Sequence, residues 1–416
     1  MKTKQLLLIL LAVLLPLTSL AGVWQDPETK VNYYYGYSDP DAACVMAGES
    51  SAGSPEASGE ITILPKIIAD GKEYTVKCIE SLAFYRCDSI TAIRIPSSVT
   101  KIGQYAFWGC SSLSYIEISD EVTDIGSYCF HSCSSLSSFS IPQKVKRIEE
   151  MTFYGCSSLV NVSLPNGFKY IGKQAFDGCR CLTNIQFPES LTNIEGNAFN
   201  NCIALTSVII PSGVSFLSGG SFSGCTGLTD VVISEGVTNI GEGAFSGCVS
   251  LKNVTLPESL TIIGGFSGCK GLTSINIPSN VVKIHNYAFD GCTGINSIFI
   301  PSKVTSIENG AFRNCTGLTE IVVPPSVTLI REGVFQGCSN LVKVTLPPNL
   351  GIISKNLFNG DSSLEAIDIP SSVTTIDVAA FRGCSNLTSV SIPYGVESVG
   401  NSSFYGCTNL ANVTIS

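Results

Sequence analysis

At 416 residues the chain is too long for one ordinary globular core, which calls for two or three domains or a repeat array. Apolar residues make up 44% and charged ones only 14%, which excludes a disordered chain. Net charge is −9, or −11 without Lys2 and Lys4, so nucleic-acid backbones and anionic membranes are disfavoured as partners.

The N-terminus reads MKTKQLLLILLAVLLPLTSLAGVW. Lys2 and Lys4 form a basic region, Leu6 to Leu17 an apolar run, and Ser19-Leu20-Ala21 a small-residue cleavage site. Residues 1–21 are therefore expected to be a secretory signal peptide, with the mature chain starting at Gly22. The run is short for a bilayer span and no later stretch could serve as one, so no membrane insertion is expected after signal removal. The expected location is secreted or cell-surface, or the periplasm.

Residues 22–78 are expected to form an N-terminal cap of short strands over Val31–Tyr35, Ala43–Met46, Ile61–Leu64 and Tyr74–Lys77. Gly48–Gly59 reads as a Ser/Gly/Pro/Ala loop, and Asp70-Gly71 as a turn.

From residue 79 to 416 the chain repeats itself. Phe recurs from Phe84 and Phe107 to Phe381 and Phe404, always 23 residues apart except between Phe245 and Phe266, where the step is 21. The shared pattern is P-x-x-V-T-x-I-G-x-x-A-F-x-G-C-x-x-L-T-x-V-x-I. Alternation in L-T-x-V-x-I predicts a half-buried strand, which the following Pro ends. V-T-x-I predicts a second short strand, and G-x-x-A-F-x-G-C a tight helical turn. No unit can bury its own apolar face, but stacked units can. About fifteen coils spaced like neighbouring strands would extend roughly 70 Å along the ladder. The Phe, the Leu (Leu113, Leu136, Leu159), Ile116 with Ile118, and Val99 with Ile102 are the expected core. The last coil stops at Ile415-Ser416 with no cap, sorting module or anchor visible.

Fourteen of the 18 Cys fall three places after a Phe, and Asp361 fills that slot once. One residue per coil forms a ladder, so these thiols are expected to be buried apolar filler rather than metal ligands or disulfides. Cys44 with Cys78 is a possible capping disulfide; Cys129 with Cys133 and Cys179 with Cys181 are weaker pairs.

The pattern resembles the BspA-like, Treponema-type leucine-rich repeats over residues 79–416. Period, Ala-Phe, Gly-Cys, Leu and Ile-Pro all recur together, and YTVKCIESLAFYRC resembles the usual entry into such arrays. The resemblance implies a curved solenoid, mainly β with short helical turns, and a parallel strand ladder on its concave face. It also implies an exported or surface protein, in some members an adhesin, and no catalytic residues.

Two surface features carry the ligand expectation. In that geometry the residues between buried strand positions face the ladder surface, from Ala92 and Arg94 onward. Most are small and polar, but Ile209 adjoins Val232 and Phe299 adjoins Val322, which suggests a binding patch. The residue after Phe reads Tyr85, Trp108, His131 and Tyr154 in the first four coils, a ring row suited to sugars or a protein partner. His131 and His285 occupy different slots, and no catalytic set, phosphate loop or zinc spacing appears. The expected function is binding of an extracellular protein or glycan ligand, in adhesion, without catalysis, cofactor or metal. The alternative is a structural or scaffolding repeat protein that self-associates or assembles with a surface partner.

Overall fold

The computed structural model describes residues 22–36, 39, 41–46 and 57–415. The expected signal peptide and most of the expected loop at 48–59 lie outside the described residues. The chain divides into two compact units, Met1–Pro188 and Glu189–Ser416.

The first unit opens with six strands: β1 (Gly22–Gln25), β2 (Asn32–Tyr35), β3 (Ala42–Val45), β4 (Gly59–Thr62), β5 (Lys66–Ala69) and β6 (Lys72–Ile79). β1, β2 and β3 are antiparallel neighbours, and β3 lies parallel to β6. Asp70 and Gly71 both have positive φ, as a two-residue hairpin between β5 and β6 requires. The sequence pattern missed β1 and β5. Tyr33 is buried, packs on Trp24, and accepts the Leu64 N–H at 3.1 Å. Burial pushes its phenol up to about 12.

These strands start the repeat. β4 pairs in parallel with Ile90–Arg94, the first rung of one ladder, and the end of β6 pairs with Lys101–Ile102, the first rung of a second. Later coils add rungs to both. Tyr115–Glu117 follows in the first ladder and Asp124–Ile125 in the second. In the second unit, Ser207–Ile210, Asp230–Ile233 and Asn253–Thr255 pair in parallel, as do Ile352–Ile353, Thr375–Ile376 and Ser398–Val399. The chain is thus a leucine-rich-repeat solenoid of about fifteen coils, as its period requires.

The arc carrying the Phe is not a regular helix. It is a run of i→i+3 turns, such as Tyr85 N–H to Leu82 O and Cys87 N–H to Phe84 O. The residue two before Phe is left-handed in coil after coil (Leu82, Tyr105, Tyr128, Met151), and so is the residue two after it (Arg86, Gly109, Ser132, Gly155). A left-handed residue every fourth place cannot propagate an α-helix. The second slot explains the Gly of F-x-G-C. A Cβ on Gly109 would meet nothing closer than 3.5 Å, so substitution there costs only conformational energy. Gly109→Ala should lose about 1 kcal/mol and Ser132→Gly gain about as much, read from denaturant midpoints. The Gly of I-G serves close approach instead: a Cβ on Gly103 would lie 2.3 Å from the Ser81 nitrogen of the previous coil.

The short coil is absorbed in its arc. Ile262–Ile263 still pairs with its neighbours, and Gly265, with φ of 91°, leads directly into Phe266. The first ladder lapses in places, as it does at 185–187 in a coil of regular length. Residues 274–277 and 297–300 form no paired strand, although Ile275, Ile277, Ile298 and Ile300 remain buried.

A stacked file of Phe rings runs through each unit. Centroids from Phe84 to Phe176 are 5.2–5.4 Å apart, and those from Phe199 to Phe404 are 5.2–5.9 Å apart. Leu113, Leu136, Leu159, Val99 and Ile102 are buried as expected. Ile116 and Ile118 are only half-buried, because the paired ladder stops at Tyr115–Glu117 and leaves one flank open.

The ladder thiols are buried, apart from the half-buried Cys407. They are more than filler. Cys110 Sγ donates to the Phe84 carbonyl at 3.1 Å, and the same bond recurs from Cys248 to Phe222 and from Cys292 to Phe266. Burial raises their pKa, Cys156 to about 12, so the donor proton stays in place. Cys44 and Cys78 form the disulfide. Cys129 and Cys133 are buried thiols, and no disulfide joins Cys179 to Cys181.

Candidate functional site

In the first four coils the residue after Phe is half-buried, and in the fifth Asp177 is buried. Tyr85, Trp108, His131 and Tyr154 stack in sequence, with centroids 4.8, 5.3 and 4.7 Å apart. This geometry limits what the row can offer. Each inner ring has both faces covered by its neighbours, so Trp108 and His131 present edges rather than faces. Arg86 lies 5.8 Å from the Trp108 ring. His131 Nδ1 is 2.9 Å from Ser132 Oγ, and burial lowers the imidazole pKa, which keeps the ring neutral at neutral pH.

A second file stands beside the first. Tyr105 and Tyr128 stack at 4.8 Å, and Tyr128 reaches His131 at 6.1 Å. Both tyrosines are left-handed, in a slot where later coils place Gly220, Gly243, Gly310 and Gly333. Sequence reasoning missed them because this slot has no constant letter. Its signal was the neighbouring Tyr in consecutive repeats.

The ladder surface of the second unit holds the other candidates. Ile209 and Val232 are direct register partners on adjacent strands, 63% and 39% exposed. Phe299 and Val322 occupy the same register position in consecutive coils, 74% and 63% exposed. Val322 lies on the strand Glu320–Val322, whereas Phe299 lies in the unpaired stretch after the short coil. In the first unit Ala92, expected on this surface, is buried. Its register partners are Glu60 and Tyr115, and a methyl between two longer side chains is covered.

Among the described residues, one group of three side chains could ligate a metal, Cys44, Cys78 and Glu80, and its two sulfurs are joined in the disulfide. No helix among the described residues is long and apolar enough to cross a membrane.

Residues 72–168, 146–265, 264–388 and 305–416 match the BspA type leucine rich repeat region of six copies. The chain belongs to the BspA-type leucine-rich repeat family. It is similar to the crystal structure of a leucine-rich repeat protein from Bacteroides ovatus ATCC 8483, with 29% identity over 92% of each chain and a TM-score of 0.73. It is also similar to a leucine rich cell surface protein from Faecalibacterium prausnitzii A2-165, with 26% identity over 96% of each chain and a TM-score of 0.48. No curated protein matches it. In this BspA-type chain the constant letters account for the core and the thiol ladder. The two candidate surfaces are built from the variable letters.

Proposed function

We propose that this BspA-type protein is exported and binds an extracellular protein ligand through its coil surfaces, in adhesion. The observation that carries the reading is the apolar set Ile209, Val232, Phe299 and Val322, exposed on a ladder surface whose other outward positions are mostly small and polar. Exposed apolar neighbours favour contact with a partner over contact with water. The ring row Tyr85, Trp108, His131 and Tyr154 is a second candidate surface. Because its inner ring faces are covered, it suits a protein surface better than a stacked sugar.

The test is binding of the chain from Gly22 to immobilised matrix proteins and glycans. Phe299→Ser with Val322→Ser, and separately Trp108→Ala with Tyr154→Ala, are compared with wild type. A saturable protein hit, weakened about tenfold or more by one pair, is the expected result. Binding to glycans alone overturns the ligand class. Binding unaffected by both pairs overturns the surfaces, and no binding by folded protein overturns the reading. N-terminal sequencing of the exported protein, expected to begin at Gly22, tests the signal.

A further inference from the structure

Asp361 stands in the slot that holds Cys in the other coils, and it is completely buried. The Cys338 N–H donates to Oδ1 at 2.8 Å, and the Gly337 N–H also acts on the carboxyl, both opposing the stronger effect of burial. The other oxygen, Oδ2, is buried without a partner. The titratable groups acting across it are the thiols of Cys338 and Cys384 in the adjoining coils, and Asp290, the residue after Phe289 in an earlier coil, acts on Cys338. Among the described residues no Lys, Arg or His compensates its charge. A buried carboxylate in such a place would be unstable.

The ladder supplies a resolution. Thiols in this slot donate to the carbonyl of the preceding coil's Phe, 26 residues earlier on both sides of position 361: Cys315 to Phe289, Cys338 to Phe312, Cys384 to Phe358. At position 361 the corresponding carbonyl is that of Phe335. A carboxylic acid has the one donor that a carboxylate lacks. We propose that Asp361 is kept as a neutral acid whose Oδ2–H donates to the Phe335 carbonyl, making this coil a pH-sensitive joint in the second unit. Burial pushes its pKa well above the ordinary carboxylate range, in agreement with that geometry.

The sign of the pH dependence follows. The folded pKa is raised above the unfolded one. Asp361 therefore contributes fully below the unfolded pKa of about 4, where both states hold the proton. As pH rises past that value only the unfolded chain ionises, and stability falls until the folded acid ionises as well. Asp361→Asn keeps an acceptor and a donor, and Asp361→Cys restores the ladder. Neither ionises to a carboxylate.

Unfolding midpoints of wild type, D361N and D361C are measured from pH 3 to pH 8. The advantage of the variants over wild type is expected to be smallest at pH 3 and to widen toward pH 7. Infrared spectra of wild type with isotope-labelled aspartate, at pH 7, should show a protonated carboxyl band that D361N lacks. That measurement decides the matter on wild type alone if a variant fails to fold. A difference that does not change with pH, or an ionised Asp361 at pH 7, overturns the proposal.

Discussion

Phe130→Ala is expected to destabilise the first unit by about 3–5 kcal/mol, the largest effect of any single truncation proposed. The ring is buried between Phe107 at 5.3 Å and Phe153 at 5.4 Å, with Phe139 tilted against it at 5.1 Å. Removing it strips a stacking partner from both neighbours and opens a cavity that the backbone ladders on either side cannot close. Repeat arrays are held by nearest-neighbour contacts, so the loss should concentrate in the coils around residue 130. Denaturant unfolding gives the total, and amide hydrogen exchange gives its location. The same change at the half-buried Phe404 should cost less. A loss at Phe130 below about 1 kcal/mol would mean that the file of rings is not what holds the coils together.

Loss of the Cys44–Cys78 bridge is the second large effect. The two residues are register partners on β3 and β6, brought opposite each other by a bulge between Ala43 and Cys44. The sulfurs close a loop of 34 residues. Loop-closure entropy for that length corresponds to about 3–4 kcal/mol. The double variant Cys44→Ala, Cys78→Ala should therefore unfold its cap at markedly lower denaturant. Reduction of the wild type should reproduce the shift, and reduction of the variant should change nothing. Equal midpoints for oxidised and reduced wild type would show that the β3–β6 pairing holds the cap without the bridge.

The sequence made the core legible because a slot that is buried in each coil admits few side chains, and Phe at a fixed step exposes the period. The two ladders follow from the alternation on either side of Pro. The turn slot before Phe stayed hidden because backbone conformation, not burial, defines it. Leu82, Tyr105, Met151 and Gly220 all satisfy it, so no letter repeats. The thiol donors stayed hidden because a buried Cys serves equally as filler, and the carbonyl it meets belongs to another coil. Cys44 and Cys78 could be singled out as the two non-repeat cysteines of the cap. Only the fold makes them register partners. On the ladder surface the sequence identified which side chains point outward. It could not show that Ala92 would be covered, or that pairing would lapse around Phe299.

The thiol ladder also sets an order of events. Sixteen of the 18 cysteines stay outside the disulfide in the finished structure, and most lie out of reach of any oxidant. Before folding, each of them is accessible. If the chain matures where disulfides form, its coils must close over their sulfurs faster than wrong bridges can lock them apart. Assembly and oxidation are then in a race, and the regular coil, which closes mostly over near neighbours in sequence, gives assembly the lead.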